Sequence, residues 1–273
     1  MASLERGYDA VIRANVGRQA LEMTGATYGP LFFGPFRPAE ARERSLAVMA
    51  RMGLADSPLV QSHDTALNAV ACALEGDFDR ARSLADQVLA ILEEFGQMVL
   101  LAGARGSILP FVWLASGDLE TAEREQRMGC EALLAMGETG YLSTSAGMLA
   151  DTLETMDRLE EVDRWVTICR ENSAEDDFSS QILWRGVQAL LLSRSGEADE
   201  AERLAREAVR IAEPTDYLVE RGDAHVRLAK VLHRIGKPRD AEKEVATARA
   251  LYEQKGAPAL VARLEEQWSA LPG

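Results

Sequence analysis

The stretch LASGDLETAEREQ (114–126) has two near-copies in the same chain, LEGDFDRARSLA (74–85) and LSRSGEADEAERLA (192–205). Each copy joins a hydrophobic run to a Gly-Asp/Glu turn and then to an alanine-rich amphipathic run. Taking the residue before each acidic-hydrophobic turn as an anchor gives Phe36, Gly76, Gly117, Asp157, Gly196 and Gly236, spaced by 40, 41, 40, 39 and 40 residues. A fixed period of this length over six units is the signature of a stacked array.

The positions around the anchors repeat as well. Five residues after them stand Ala41, Ala81, Ala122, Val162, Ala201 and Ala241; seven before stand Gly29, Ala69, Pro110, Ala150, Ala189 and Ala229. Twelve after stand Val48, Val88, Gly129, Cys169, Ala208 and Ala248, all compact. Small residues at fixed places mark where two antiparallel helices cross closely. Larger groups recur four before the anchor, as in Trp113, Leu153, Leu192 and Leu232, with Cys72 as an exception. A glycine at the anchor closes a helix in the left-handed conformation without a Cβ penalty. Each unit therefore reads as helix, tight turn, helix, and neighbouring units bury the apolar face that one pair cannot bury alone.

The expected fold is all-α: a right-handed superhelical solenoid of about six helix-turn-helix units with a period of about 40 and a C-terminal cap. Residues 1–273 read as one solenoid, with an atypical N-terminal unit (1–56), regular repeats (57–256) and a capping segment, APALVARLEEQWSALPG (257–273). TGATYGPLFFGPFRP (24–38) is dense in Gly and Pro, so the first inner helix is expected to be broken or kinked.

Composition agrees with helix and narrows the partners. Aromatic residues are 6% and the formal net charge is −14. A surface this acidic repels nucleic acid. All four lysines, Lys230, Lys237, Lys243 and Lys255, fall after residue 215, where charge is close to balanced. The sequence reads as holding no run of about 18 apolar residues, so no membrane span is expected. The charged N-terminus lacks the apolar core of a signal peptide, so a cytoplasmic location is expected. Three widely spaced cysteines, Cys72, Cys130 and Cys169, read as buried reduced thiols.

Catalytic and metal motifs are missing from the sequence. GARGS (103–107) has two glycines but no lysine and no preceding strand, so it does not make a phosphate loop. His225 and His233 are eight apart, too far for one metal on a helix. AEDDF (174–178) reads as an inter-repeat loop whose Asp caps the next helix. No enzyme activity, metal or cofactor is expected.

One helix face stands out. In SQILWRGVQALLL (180–192), Gln181, Trp184, Arg185 and Gln188 share a face by their i, i+3, i+4, i+7 spacing. They are the expected centre of a concave groove, with Asp151 from the preceding unit and Arg221 and His225 from the following one. The bland alternative pairs Arg185 with Asp151 or Glu154 and uses Trp184 to fill a gap between units. Counting from the anchor in a standard unit would instead turn Leu183, Gly186 and Leu190 inward.

WLASGDLETAEREQRMGCEAL (113–133) and LLSRSGEADEAERLAREAVRIAE (191–213) resemble the second half of tetratricopeptide repeats. MGETGYLSTSAGMLADTL (136–153), residues 176–218 and LAKVLHRIGKPRDAEKEVATARALYEQKG (228–256) resemble the C-terminal repeat region of large bacterial regulators. Those proteins join a class III adenylate/guanylate cyclase or a DNA-binding domain to an ATPase module and then to such an array. The resemblance implies a non-enzymatic scaffold that takes a protein or peptide segment in its groove, as the regulatory or interaction part of a signalling system. The alternative is a sensor whose groove takes a small molecule; an enzyme with an unfamiliar site ranks below both.

Overall fold

The structure, a computed structural model, describes residues 33–52 and 58–270, and every regular element among them is helical. The chain order is α1 (Pro38–Met52), α2 (Pro58–Glu75), α3 (Phe78–Glu94), α4 (Met98–Gly103), a π turn (Ala104–Ile108), α5 (Pro110–Ala115) and α6 (Leu119–Met136). It continues with α7 (Gly140–Thr155), α8 (Leu159–Asn172), α9 (Phe178–Ser195), α10 (Ala198–Ala212), α11 (Leu218–Arg234), α12 (Pro238–Lys255) and α13 (Pro258–Ser269). Within units, α2 packs on α3, α4–α5 on α6, α7 on α8, α9 on α10 and α11 on α12. Between units, α7 packs on α9 and α9 on α11, so the first helix of each pair lines one side of the array.

The turns fall at the anchors. Gly76, Gly117, Gly196 and Gly236 have φ of 91°, 77°, 87° and 78°, and Asp157 takes the same left-handed conformation at φ 60°. Asp157 is the only non-glycine residue with positive φ among those described; Asp tolerates this region better than most side chains. The first anchor differs: Phe36 sits in a bend before α1. Asp77, Asp118 and Asp177 cap α3, α6 and α9 by accepting a backbone N–H from three residues on. Asp177 is the capping residue expected in AEDDF.

The crossing positions are closed to solvent. Ala81, Ala122, Val162, Ala201 and Ala241 are all 0% exposed. At Gly129 a Cβ would lie 2.5 Å from the Ala102 carbonyl oxygen and 2.6 Å from the Gly106 nitrogen, so α6 touches the backbone of the preceding helix. GARGS supplies that contact surface: it spans the end of α4 and most of the π turn, where Leu109 N–H reaches the Ala104 carbonyl. The Gly- and Pro-rich segment 24–32 lies outside the described residues.

One apolar stretch is longer than the sequence reading allowed. Met98–Ala115 has a mean hydropathy of 1.6 over 18 residues, enough by length and composition to cross a membrane. In the fold it is the inner helix of its unit, interrupted by the π turn and 56% buried. Its one charge, Arg105, pairs with Glu125 on α6.

The array closes on itself. Helix α13 packs against α2 and α5, with seven helices, α6 to α12, lying between α5 and α13 in sequence. Leu260 and Leu264 share a core with Leu67, Val70 and Leu74 of α2, and Ala259 joins the core of Ala66 and Val112. Lys255 is 1% exposed and its Nζ donates to the Gly34 and Phe36 carbonyls at 3.0 and 2.7 Å. Burial pulls this ammonium down to about 8. The expected groove is thereby turned into a partly open interior.

Candidate functional site

That interior holds a cavity of about 660 Å³, within the size range of small-ligand sites. Its walls come from the π turn and α5, from α7, α9 and α11, and from α12 and the cap α13. The inward positions follow helical spacing. On α11 they are Glu220, Asp223, Arg227 and Lys230, at i, i+3, i+7 and i+10, one face of a helix.

One part of the wall is aromatic. Phe33 stacks on Phe111 with ring centroids 5.1 Å apart and lies 6.1 Å from Tyr217; Tyr217 meets Phe178 edge-on at 5.0 Å. All four rings line the cavity. Beside Tyr217 lies Glu220. One of its oxygens accepts from Ser179 Oγ at 2.8 Å, and the other is buried with no hydrogen-bond partner among the described residues. Burial pushes the Glu220 carboxyl up to about 7.

Further along α11 the wall becomes charged. Arg227 grips Asp151 of α7 through two bonds, Nε at 3.0 Å and Nη2 at 2.9 Å. Burial opposes ionisation of Asp151, but Arg227 prevails and holds the carboxyl below its ordinary range. Asp223 accepts from the Tyr252 hydroxyl at 2.5 Å, and burial raises its carboxyl. Lys230 and Arg263 complete this region. Among the described residues neither makes a hydrogen bond or an ion pair within 4 Å, although Asp151 and Glu154 lie near enough to Lys230 to favour its charge. Burial nevertheless draws Lys230 below the usual lysine range.

Of the seven residues expected at the groove, the structure places Asp151 on the cavity wall. Gln181, Trp184, Arg185 and Gln188 share a face, but that face is turned away from the cavity, which meets α9 through Ser179, Ile182 and Leu183. Arg185 donates to Glu207 of α10 at 3.0 Å and stacks over Trp184 at 4.1 Å; Trp184 donates to Gln181 and packs between two cores. Arg221 pairs with Glu213, and His225 bridges Glu244 and Glu213 at 2.6 and 3.1 Å. Arg185 thus pairs with neither of the acids suggested from sequence: Asp151 is held by Arg227, and Glu154 by Arg194 and Arg234. The standard count fits in part, because Leu183 lines the cavity, whereas Leu190 is fully buried and Gly186 lies beneath Arg227.

The sequence reading missed Arg227, Lys230 and Arg263. A signal for the side of α9 that packs within its own pair was present. Arg105, Arg185 and His225 recur at multiples of 40, and each pairs with a glutamate on the second helix of its unit, Glu125, Glu207 or Glu244. That ladder marks the side joining the two helices of a pair.

The three cysteines are free and buried, and burial pushes Cys130 and Cys169 to about 12. Among the described residues no group of His, Cys, Asp and Glu is arranged to hold a metal ion.

No protein-family model matches the chain, and no curated protein matches it. Solved structures do. The chain is similar to BtubC (BKLC) from P. vanneervenii, with 16% identity over 85% of this chain and 91% of that one and a TM-score of 0.55. A putative kinesin light chain from Podosopora anserina with nearly identical TPR-like repeats also matches, at 16% identity over 72% of this chain and 96% of that one, with a TM-score of 0.47. At this identity the likeness to BtubC shows the fold alone: an all-helical repeat array.

Proposed function

We propose that the chain is a helical-repeat binding module that holds a small ligand inside the ring its repeats form. One observation carries this reading: the inner helices of successive units and the cap converge on a partly open cavity of about 660 Å³ with apolar and charged walls. A cavity of this size suits a small ligand better than a continuous protein segment, and a ligand contacting α13 and α7 at once would bias how tightly the array closes. The resemblance to the repeat regions of bacterial regulators gives such a module a regulatory or signalling role without catalysis of its own.

The reading is tested with a hydrophobic fluorophore, 1-anilinonaphthalene-8-sulfonate, titrated into the full chain. Saturable binding at one site is expected. It should be weakened in Leu183→Trp, which pushes a larger ring into the cavity from its wall, and kept in Arg185→Ala, with circular dichroism verifying both folds. The reverse pattern would place the site on the Trp184–Arg185 face.

A second reading, a scaffold for a protein partner, draws on a different observation. Phe95, Met98, Val99, Met128, Leu134 and Met136 are all between 38% and 54% exposed. Methionine-rich apolar surface of this kind adapts readily to partners. Pull-down from cell extract with and without Met98→Glu separates these exposed residues from the ring interior.

A further inference from the structure

We propose that the ligand of this cavity is an organic monoanion, a carboxylate on an apolar body, with its carboxylate between Lys230 and Arg263 and its body toward the aromatic wall. The proposal rests on the cavity being the binding site.

The charges near Asp151 decide the head group. Arg227, Lys230 and Arg263 all act on Asp151. Asp151 is already committed to Arg227 through two bonds. Asp223 is turned to the Tyr252 hydroxyl, and Glu154 is held by Arg194 and Arg234. Three cations therefore face two carboxylates on this part of the wall, and two of the cations, Lys230 and Arg263, have unfilled donors among the described residues. Lys230 is half-buried on the cavity wall; an ammonium partly withdrawn from water without a partner carries a desolvation cost, which a charge-assisted bond offsets. One ligand carboxylate brings the region to neutrality. A dianion such as a phosphate monoester would overshoot and would meet Asp151 and Asp223 at short range. An amine would add a third unpaired cation.

The body follows from the rest of the wall. Phe33, Phe111, Phe178 and Tyr217 form a connected aromatic surface. Tyr217 and Lys230 stand thirteen residues apart along α11, which at 1.5 Å per residue is about 20 Å. A ligand with its head at Lys230 thus has an extended stretch of wall for an apolar chain running toward Glu220 and Tyr217, which also line the cavity. Glu220 disfavours a second negative charge at that end.

The test compares three ligands sharing one body, decanoate, decan-1-ol and decylamine, as competitors of the fluorophore on the full chain. Decanoate should compete about tenfold or more better than the alcohol, the factor expected for a hydrogen bond to a charged group, and the amine should be weakest. Arg263→Gln and Lys230→Met should each remove the advantage of decanoate and leave the alcohol unchanged. Arg263 lies on the cap, so its variant keeps the test usable if Lys230→Met does not fold. If the alcohol or amine competes as well as decanoate, the head-group assignment is overturned while the cavity stands as the site. If none competes, the assignment fails as well, and the response of the fluorophore to Leu183→Trp alone then decides the cavity.

Discussion

Arg227 reaches from α11 across α9 to Asp151 on α7, a separation of 76 residues bridged by bonds of 3.0 and 2.9 Å. The route exists because α9 has glycine at 186: a Cβ there would lie 2.7 Å from Arg227 Cδ. Three consecutive units are tied at one point on the cavity wall, a link that a simple nearest-neighbour stack does not have.

Removing the acid should therefore cost more than a surface pair does. Asp151→Ala leaves the Arg227 guanidinium, 8% exposed, without its partner. A loss of roughly 3 kcal/mol is expected, the low end for a broken buried pair, because Asp151 still faces the cavity at 31% exposure. Gly186→Ala should reproduce part of this loss by pushing Arg227 aside. Urea melts measure both; a change near zero in Asp151→Ala would mean that the guanidinium finds another acceptor.

Ala201 tests the repeat itself. It is 0% exposed at a helix crossing in the fifth unit. Ala201→Leu should destabilise by about 1–3 kcal/mol, as overpacking a close contact does. An unchanged urea midpoint with an unchanged slope would show that α9 and α10 can part there without loss.

The repeat and its turns were legible because they are local. Gly-Asp/Glu turns, small crossing residues and capping aspartates each act within one unit, so the period alone placed Gly76, Gly117, Asp157, Gly196 and Gly236. Ring closure was not legible. It rests on contacts such as Lys255 to Gly34, 221 residues apart, and on the sum of small rotations between units, which no single unit encodes. The candidate site suffered from the same gap. Gln181, Trp184, Arg185 and Gln188 do share a helix face, but sequence did not say which face turned inward. On α11 the inward face reads Glu220, Asp223, Arg227 and Lys230, charges that would look like a solvated surface in an open array.

Glu220 should make stability depend on pH in the acid-to-neutral range. Its carboxyl is raised from 4.5 to about 7 by burial. For a group raised on folding, the native state holds the proton more tightly than the unfolded chain, so its contribution is full below about 4.5 and is lost as pH rises through about 7. Stability should therefore fall across that window relative to Glu220→Gln, which has no carboxyl to ionise. Thermal melts of both proteins from pH 4.5 to 8 measure the difference. Parallel curves would show that the carboxylate finds a partner when it ionises.

Closure of the ring can be broken at one residue. Leu264 on α13 is 3% exposed and shares its core with residues of α2, whereas Ala262, two positions earlier, is exposed. Leu264→Asp places a carboxylate in an apolar contact, where desolvation disfavours it strongly. The cheapest escape is to lift α13 from α2 and α5 and leave the stacked pairs intact, because those pairs are held by their own neighbours. Helix content by circular dichroism should change little, the maximum dimension in small-angle X-ray scattering should grow, and fluorophore binding should be lost with the cavity. Ala262→Asp adds the same charge at an exposed position and should leave all three unchanged. If Leu264→Asp unfolds the whole chain in one transition, the cap is part of a single cooperative unit; if it leaves the dimension and the binding as they were, α13 does not close the ring in solution.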